Sequence, residues 1–193
     1  MAPGTPLWPD GMRLRAARRG DLPAIVAIYN ATIPSRQVTA DLDPVEVEAR
    51  AAWFSAHSGD RRPLWVLEAA VGEIVAWLSL QDFYGRPAYA RTAEVSVYVR
   101  EGARGRGLGS GLLRHAAAAA PSLGLDTLLA FVFAHNASSL RLFTRCGFAT
   151  WGHLPRIALL DAVERDLVIL GLRVSAAGTG AVPPPRGGAG GGP

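Results

Sequence analysis

An alternating segment, Ala93 to Val99, runs directly into Arg100-Glu101-Gly102-Ala103-Arg104-Gly105-Arg106-Gly107-Leu108-Gly109-Ser110-Gly111. That loop opens an Ala- and Leu-rich helix reaching about Ala120. No other stretch narrows the possible folds as much. Period-two alternation specifies a strand, and the following apolar-rich run a helix, so the loop holds a helix N-terminus at a strand end. Glycines let backbone come close to a ligand. The helix end supplies N–H groups without intrahelical partners and the positive end of its dipole, and Arg100, Arg104 and Arg106 add full charges. Such a unit is a cradle for phosphate. It is not a P-loop, because no G-x-x-x-x-G-K-[ST] occurs and the chain has no lysine. It also misses G-x-G-x-x-G, since Ser110 and Leu112 stand where glycines are required. What fits is Arg-x-x-Gly-x-Gly at Arg104, Gly107 and Gly109.

The rest of the chain bounds the setting. At 193 residues, one domain with a sizeable core is the default. The net charge of +4 comes from arginines that are scattered, so a basic funnel for one anionic ligand is expected rather than a nucleic-acid surface. A lone Cys146 excludes a disulfide framework and any multi-thiolate metal site, and it reads as core packing rather than as a nucleophile. His57, His115, His135 and His153 show no metal spacing; only His135 falls near the proposed cleft, and no metal is expected. Met1 to Arg15 lacks the apolar centre of a signal peptide, and no run is long enough to span a membrane. A reducing cytoplasm is the expected compartment. The Pro- and Gly-rich residues 1–11 and the Gly/Pro/Ala-rich residues 175–193 read as disordered extensions around a domain at 12–174.

Within that domain, Arg13 to Ala16 alternates as a strand. Asp21 is placed to cap a helix from Leu22 to about Ala31, with Ile25, Ile28 and Tyr29 on one face. Asp43-Pro44-Val45-Glu46 carries the signals of a second helix start, with its end near His57-Ser58-Gly59. Strands are expected at Leu64–Ala69, Glu73–Leu80, Ala93–Val99, Thr127–Phe133, Ala149–Leu154 and Arg165–Leu172, and a short helix from Asn136 to Cys146. Trp65 and Trp77, on strands, read as core. The order β-α-α-β-β-β-α-β-α-β-β describes an α/β (α+β) sandwich with helices on a mixed sheet.

Glu94 is the sharpest single residue. Alternation puts Glu94, Ser96 and Tyr98 on one face of the strand and Ala93, Val95, Val97 and Val99 on the other. A carboxylate in the middle of a covered strand costs several kcal/mol of desolvation unless it is paired or solvated. Two readings follow: an ion pair with Arg91 or Arg86, or a face that opens to a polar cleft where Glu94 acts as a general base.

The Arg104–Gly109 pattern resembles the pyrophosphate loop of the GNAT superfamily of acyl-CoA-dependent N-acyltransferases, whose fold has the same element order around a mostly antiparallel sheet. The likeness covers roughly Arg13 to Val174. Thr92-Ala93-Glu94-Val95-Ser96-Val97-Tyr98-Val99, Ile28-Tyr29-Asn30, Ala52-Trp53-Phe54, Asn136-x-x-Ser139 and Gly147-Phe148 resemble the phosphinothricin and methionine sulfoximine acetyltransferase branch. Asp166 falls where that branch has an aspartate. The resemblance implies acetyl-CoA as cosubstrate. It implies that Val97, Tyr98 and Val99 offer backbone groups to pantetheine, and that Arg104, Gly105, Arg106, Gly107, Leu108, Gly109 and Ser110 hold the pyrophosphate. Asn136, Ser139 and Phe143 would lie along the cofactor from the following helix, although Asn136 is also an ordinary helix cap. Phe143 stands where many members have a Tyr that protonates the departing thiolate, and it cannot do so. The branch holds a substrate carboxylate with arginines of the loop at Gln81–Arg91, which here carries Phe83, Tyr84, Arg86, Tyr89 and Arg91, out of the usual register. Asp41 and Asp43, near the opposite wall, are candidates to hold an ammonium, Asp43 being also read as a helix cap.

The expectation is an acetyl-CoA-dependent N-acetyltransferase of a small amine, an amino acid or close analogue, working by direct attack, with a homodimer as a possible assembly. The alternatives are a polyamine, drug or protein N-terminus as acceptor, a non-catalytic acyl-CoA-binding module, for which Phe143 speaks, and, more distantly, a nucleic-acid-binding domain.

Overall fold

A computed structural model describes residues 8–9, 11–69 and 72–174. The chain runs through β1 (Arg13–Ala16), α1 (Leu22–Asn30), α2 (Ala51–Ser55), β2 (Leu64–Glu68), β3 (Ile74–Asp82), β4 (Thr92–Val99), α3 (Leu108–Ala119), β5 (Thr127–Phe133), α4 (Ala137–Arg145), β6 (Ala149–Leu160) and β7 (Val163–Arg173). Seven strands form one sheet in the order β1-β2-β3-β4-β5-β7-β6. All neighbours pair antiparallel except β4 and β5.

That exception positions the site. β4 pairs in parallel with β5 only from Thr92 to Glu94, opposite Thr127 to Leu129. Beyond Glu94 the two strands share no register, while β4 stays paired with β3 as far as Val99 opposite Ala76. One edge of β4 therefore lacks a strand partner in mid-sheet, with backbone groups that something else must satisfy.

Each face of the sheet carries its own core. Leu78 and Leu80 of β3, Val95 of β4 and Leu128 of β5 pack with Leu112, Leu113 and Ala116 of α3 and with Phe143 of α4. On the other face, Ile25 and Ile28 of α1 meet Leu64, Val66 and Trp77. The alternation of β4 thus sends its valines toward α3 and Glu94, Ser96 and Tyr98 toward α1 and α2.

Several expectations need correction. Asp21 does not cap α1 with its side chain. Its carboxylate instead accepts from Arg15 at 2.7 and 2.9 Å and from the Arg18 N–H at 2.6 Å. The second helix does not start at Asp43. The Asn30 side chain takes both backbone groups of Val45, at 2.9 and 3.0 Å, and so diverts them from helical bonding; a 3-10 turn over Glu48–Arg50 leads into α2. β3 runs two residues beyond Leu80, and β6 and β7 form a longer hairpin than expected. That hairpin turns at Asp161 and Ala162, with φ of 46° and 64°, which suits a tight two-residue connection. Trp8, within the stretch expected to lie outside the fold, packs against the main core. The rest of residues 1–7 and all of 175–193 lie outside the described residues.

Candidate active site

Two cavities meet at β4. The larger, about 480 Å³, opens where β4 and β5 part. Val97, Tyr98, Val99, Arg104, Gly105, Gly107, Leu108, Gly109, Ser110 and Ser139 line it, all expected from the sequence. Gly107 forms the N-cap of α3 with φ 79° and has no side chain to cap the first turn, so the N–H groups of that turn stay available to a ligand. Where a Cβ would stand on Gly105 or Gly107 there is open space, as a cradle for a bulky anion requires. Arg104 donates from Nε to the Val99 carbonyl at 3.2 Å, which ties the loop to the strand end. Leu108 contributes backbone alone, because its side chain is buried in the core. Arg106 is exposed and does not line the cavity. The sequence reading missed Arg141 and Arg145 of α4, one turn apart on the opposite rim. Their i, i+4 spacing beside Ser138 and Leu142 was the available signal.

Besides Arg106, two further members of the expected cofactor set lie elsewhere. Asn136 is buried, and its Oδ1 accepts from the Ser139 N–H at 3.0 Å while its Nδ2 donates to the Gln37 carbonyl at 3.0 Å. It caps α4 and ties it to the segment before α2. Phe143 is buried edge-on against Phe148, ring centroids 5.0 Å apart, and lines neither cavity.

The smaller cavity, about 180 Å³, lies on the α1/α2 side of β4. Glu94 and Ser96 line it beside their cross-strand partners Gln81 and Ser79; Tyr98 and Trp77 follow in the same register. Tyr29, Arg50 and Trp53 close it from the helices. Trp77 is stacked on Tyr98 at 4.3 Å, Trp53 meets Trp77 at 5.8 Å and Tyr29 meets Tyr98 at 5.3 Å. Trp77 is core, as expected, and also cavity wall. Tyr98 lines both cavities.

Glu94 has no salt bridge or hydrogen bond to a side chain among the described residues, and burial raises its pKa above the usual carboxylate range. The ion-pair reading fails because Arg91 pairs with Asp126 and Arg86 is exposed outside the cavity. The loop expected to bind substrate also lies outside. Phe83, Tyr84 and Tyr89 pack on one another, at 4.4 and 5.4 Å from Phe83, and Phe83 stacks on Phe131. With Arg86 and Arg91 they line neither cavity, because β3 continues to Asp82 and carries the loop past the cavity mouth. Asp41 reaches the site at second hand: its Oδ2 accepts from the Tyr29 hydroxyl at 2.5 Å and from Arg50 at 3.1 Å. His135 bonds the Arg36 carbonyl at 2.8 Å, and Asp166 holds His153 at 2.8 Å; neither lines a cavity. Cys146 packs beside the core.

A half-buried carboxylate, unpaired among the described residues, thus adjoins a cleft built from an unpartnered strand edge and a helix N-terminus. Residues 25–148 match the model of the Acetyltransferase (GNAT) family. The chain belongs to this family. The acetyltransferase is 54% identical over 164 residues to "Putative phosphinothricin acetyltransferase YwnH" of Bacillus subtilis, covering 85% of this chain and 100% of the relative. It is 35% identical to the L-methionine sulfoximine/L-methionine sulfone acetyltransferase of Pseudomonas aeruginosa, over 83% of this chain and 94% of the relative. A GNAT superfamily phosphinothricin acetyltransferase from Sinorhizobium meliloti, solved in complex with acetyl-CoA, superposes with a TM-score of 0.81 at 25% identity, over 91% of this chain and 95% of that one. The acetyltransferase is an acetyl-CoA-dependent N-acetyltransferase with the GNAT fold. Among the described residues, no helix is long and apolar enough to cross a membrane.

Proposed function

We propose that the acetyltransferase acetylates the α-amine of an amino acid or analogue of the phosphinothricin or methionine sulfoximine type, by direct attack on the thioester. The observation that carries this reading is Glu94: a carboxylate without an ionic partner, on a cavity that shares Tyr98 with the cosubstrate cleft. Relatives whose names specify phosphinothricin and methionine sulfoximine support the choice of acceptor.

Acetyl-CoA supplies the activated acetyl group, as a thioester. Gly105 to Ser110 and the first turn of α3 receive the pyrophosphate through N–H groups, with Arg104 adding charge. The free edge of β4 at Val97–Val99 pairs with the pantetheine amides, as an added strand would. Backbone N–H on the same edge polarises the thioester carbonyl. Glu94 removes a proton from the acceptor ammonium, directly or through one water. Its raised pKa suits that task, since a base works best with a pKa near the working pH. The neutral amine forms the N–C bond, the C–S bond breaks, and the second N–H proton passes from nitrogen to solvent as the amide forms. Phe143 cannot donate a proton, so the thiolate leaves as the anion or is protonated by solvent.

The proposed partner is a small molecule rather than nucleic acid or membrane. Many of its arginines, among them Arg15, Arg36, Arg61, Arg62 and Arg91, are tied up in ion pairs within the chain. We place the enzyme in the cytoplasm, on its single cysteine. We also propose a homodimer, supported by Ile157 and Leu159, 59% and 62% exposed on the terminal strand of the sheet. Sedimentation of wild type and Leu159→Arg tests it: a wild-type monomer would refute the dimer.

The acceptor is tested by following thiol release with methionine sulfoximine, phosphinothricin, spermidine and simple arylamines. Preference for the two amino acids is expected. A clear preference for spermidine would overturn the reading.

A further inference from the structure

Among the described residues, Arg50 is the one guanidinium that lines the cavity holding Glu94. It enters from the 3-10 turn before α2, a position that no loop motif marks. Its guanidinium carbon lies 4.6 Å from the centre of the Tyr29 ring and 5.7 Å from that of Trp53. Nη2 donates to Asp41 Oδ2 at 3.1 Å, the oxygen that also accepts from the Tyr29 hydroxyl. Two rings and one carboxylate therefore fix the plane of the fork. A guanidinium carries five N–H donors, and among the described residues only this bond to Asp41 engages Arg50. The remaining donors are free for a ligand. The cavity thus takes a fixed cation from the turn before α2 and the Glu94 carboxylate from β4, with Trp53, Trp77 and Tyr98 also in its lining.

We infer that Arg50 is the residue that receives the acceptor's carboxylate, or an equivalent planar anion, while Glu94 faces its ammonium. The inference rests on the proposed amino-acid acceptor and deepens it. It moves the anion-binding role from Arg86 and Arg91 to a side chain inside the cavity. Planar bidentate geometry is what a fork-shaped cation recognises, and lysine does not reproduce it. The same charge disfavours polyamines, which would bring a second cation toward Arg50.

The test compares methionine sulfoximine with the matching amine that lacks its α-carboxylate, 3-aminopropyl methyl sulfoximine. Binding is read from tryptophan fluorescence without acetyl-CoA, and turnover from thiol release. Arg50→Gln should weaken methionine sulfoximine binding and raise its KM by about 10- to 100-fold, the usual range for one charged hydrogen-bonded contact. The decarboxylated amine should change less than about threefold, a margin set well inside that range, with acetyl-CoA affinity unchanged. Arg50→Lys, which keeps the charge and is the milder change for folding, should show the same selective loss, smaller in size. Equal losses for the two compounds in either variant, or no loss for methionine sulfoximine, would overturn the inference. So would wild-type protein that binds the amine as well as the amino acid. Arg50-dependent binding without thiol release would leave the inference standing and refute the proposed reaction. Turnover of methionine sulfoximine with an unchanged KM in Arg50→Gln would do the reverse.

Discussion

The two cavities on either side of β4 are built differently. The larger cleft, proposed for acetyl-CoA, is made mainly of backbone: a strand edge that β5 abandons after Leu129, and a helix N-terminus that Gly107 leaves uncapped. The smaller cavity, proposed for the acceptor, is made of side chains brought from α1, the turn before α2, β3 and β4. A backbone site needs a contiguous run of conformationally permissive residues, so it is written in one short motif. A side-chain site needs only that distant positions converge, so it leaves no local trace. The difference also divides the chemistry. On the proposed assignment, the backbone half would hold the cosubstrate common to the family, and the side-chain half would decide which amine is used.

The sharpest way to break this division is at Glu94. Glu94→Gln should lower kcat by about 10²–10⁴-fold and leave acetyl-CoA affinity, measured by calorimetry, unchanged. Near-normal turnover at pH 7 would remove Glu94 from the chemistry. The same residue makes a signed prediction about stability. Burial raises its folded-state pKa, so its contribution to stability is fully present below the ordinary carboxyl range and is lost as pH rises through the raised value. Thermal melts of wild type and Glu94→Gln from pH 4 upward, roughly the ordinary carboxyl pKa, should therefore diverge in favour of the variant. Wild-type kcat/KM should rise over the same window, as the base ionises.

A test on the other half comes next in size. Arg104→Ala combined with Gly107→Asp should weaken acetyl-CoA binding about 10- to 100-fold, through loss of one charge and gain of an opposing one at a helix end. Calorimetry should show this without loss of the folded baseline. Equal affinity would show that the cleft beside β4 is not where acetyl-CoA sits.

Two smaller effects sharpen the border of the cleft. Phe143→Tyr should cost about 1–3 kcal/mol in chemical denaturation, because it puts a hydroxyl without a partner against Phe148, and it should not raise kcat. A faster enzyme would return this position to the thiolate. Asn136→Ala should cost about 1 kcal/mol through loss of the α4 cap, with acetyl-CoA affinity kept within about threefold. A large fall in affinity would restore Asn136 to the cofactor set.

What could be read in the sequence follows the same division. β1, β5, α3 and α4, the alternation of β4 and the Arg104–Ser110 loop all rest on periodicity or on a local motif, and the structure has them where the residues indicated. The start of α2 was misjudged because Asp43-Pro44 supplies every local signal for a helix, whereas Asn30, on another element, takes the backbone of Val45. Nothing near Arg50 in sequence points at Glu94, and Tyr29 reads only as part of the apolar face of α1. One half of the acceptor wall was nonetheless within reach. Trp77, Ser79 and Gln81 alternate along β3 opposite Tyr98, Ser96 and Glu94, so polar residues recurring at period two on adjacent strands marked a shared polar face.

The parting of β4 from β5 also bears on how the protein survives when empty. An unpaired strand edge is a template on which a second molecule can build, and proteins normally blunt or cover such edges at the rim of a sheet. Here the unfinished edge lies in mid-sheet, flanked by β3, β5 and α3 rather than by solvent on an open side. On the proposed assignment, the chain can therefore keep a hydrogen-bonding strip for its cosubstrate without offering it to its neighbours. Filling that strip should also hold the fold together, by about 2.7 kcal/mol at a ligand concentration a hundred times Kd. An enzyme of this build is most exposed to misassembly when its supply of acetyl-CoA runs low.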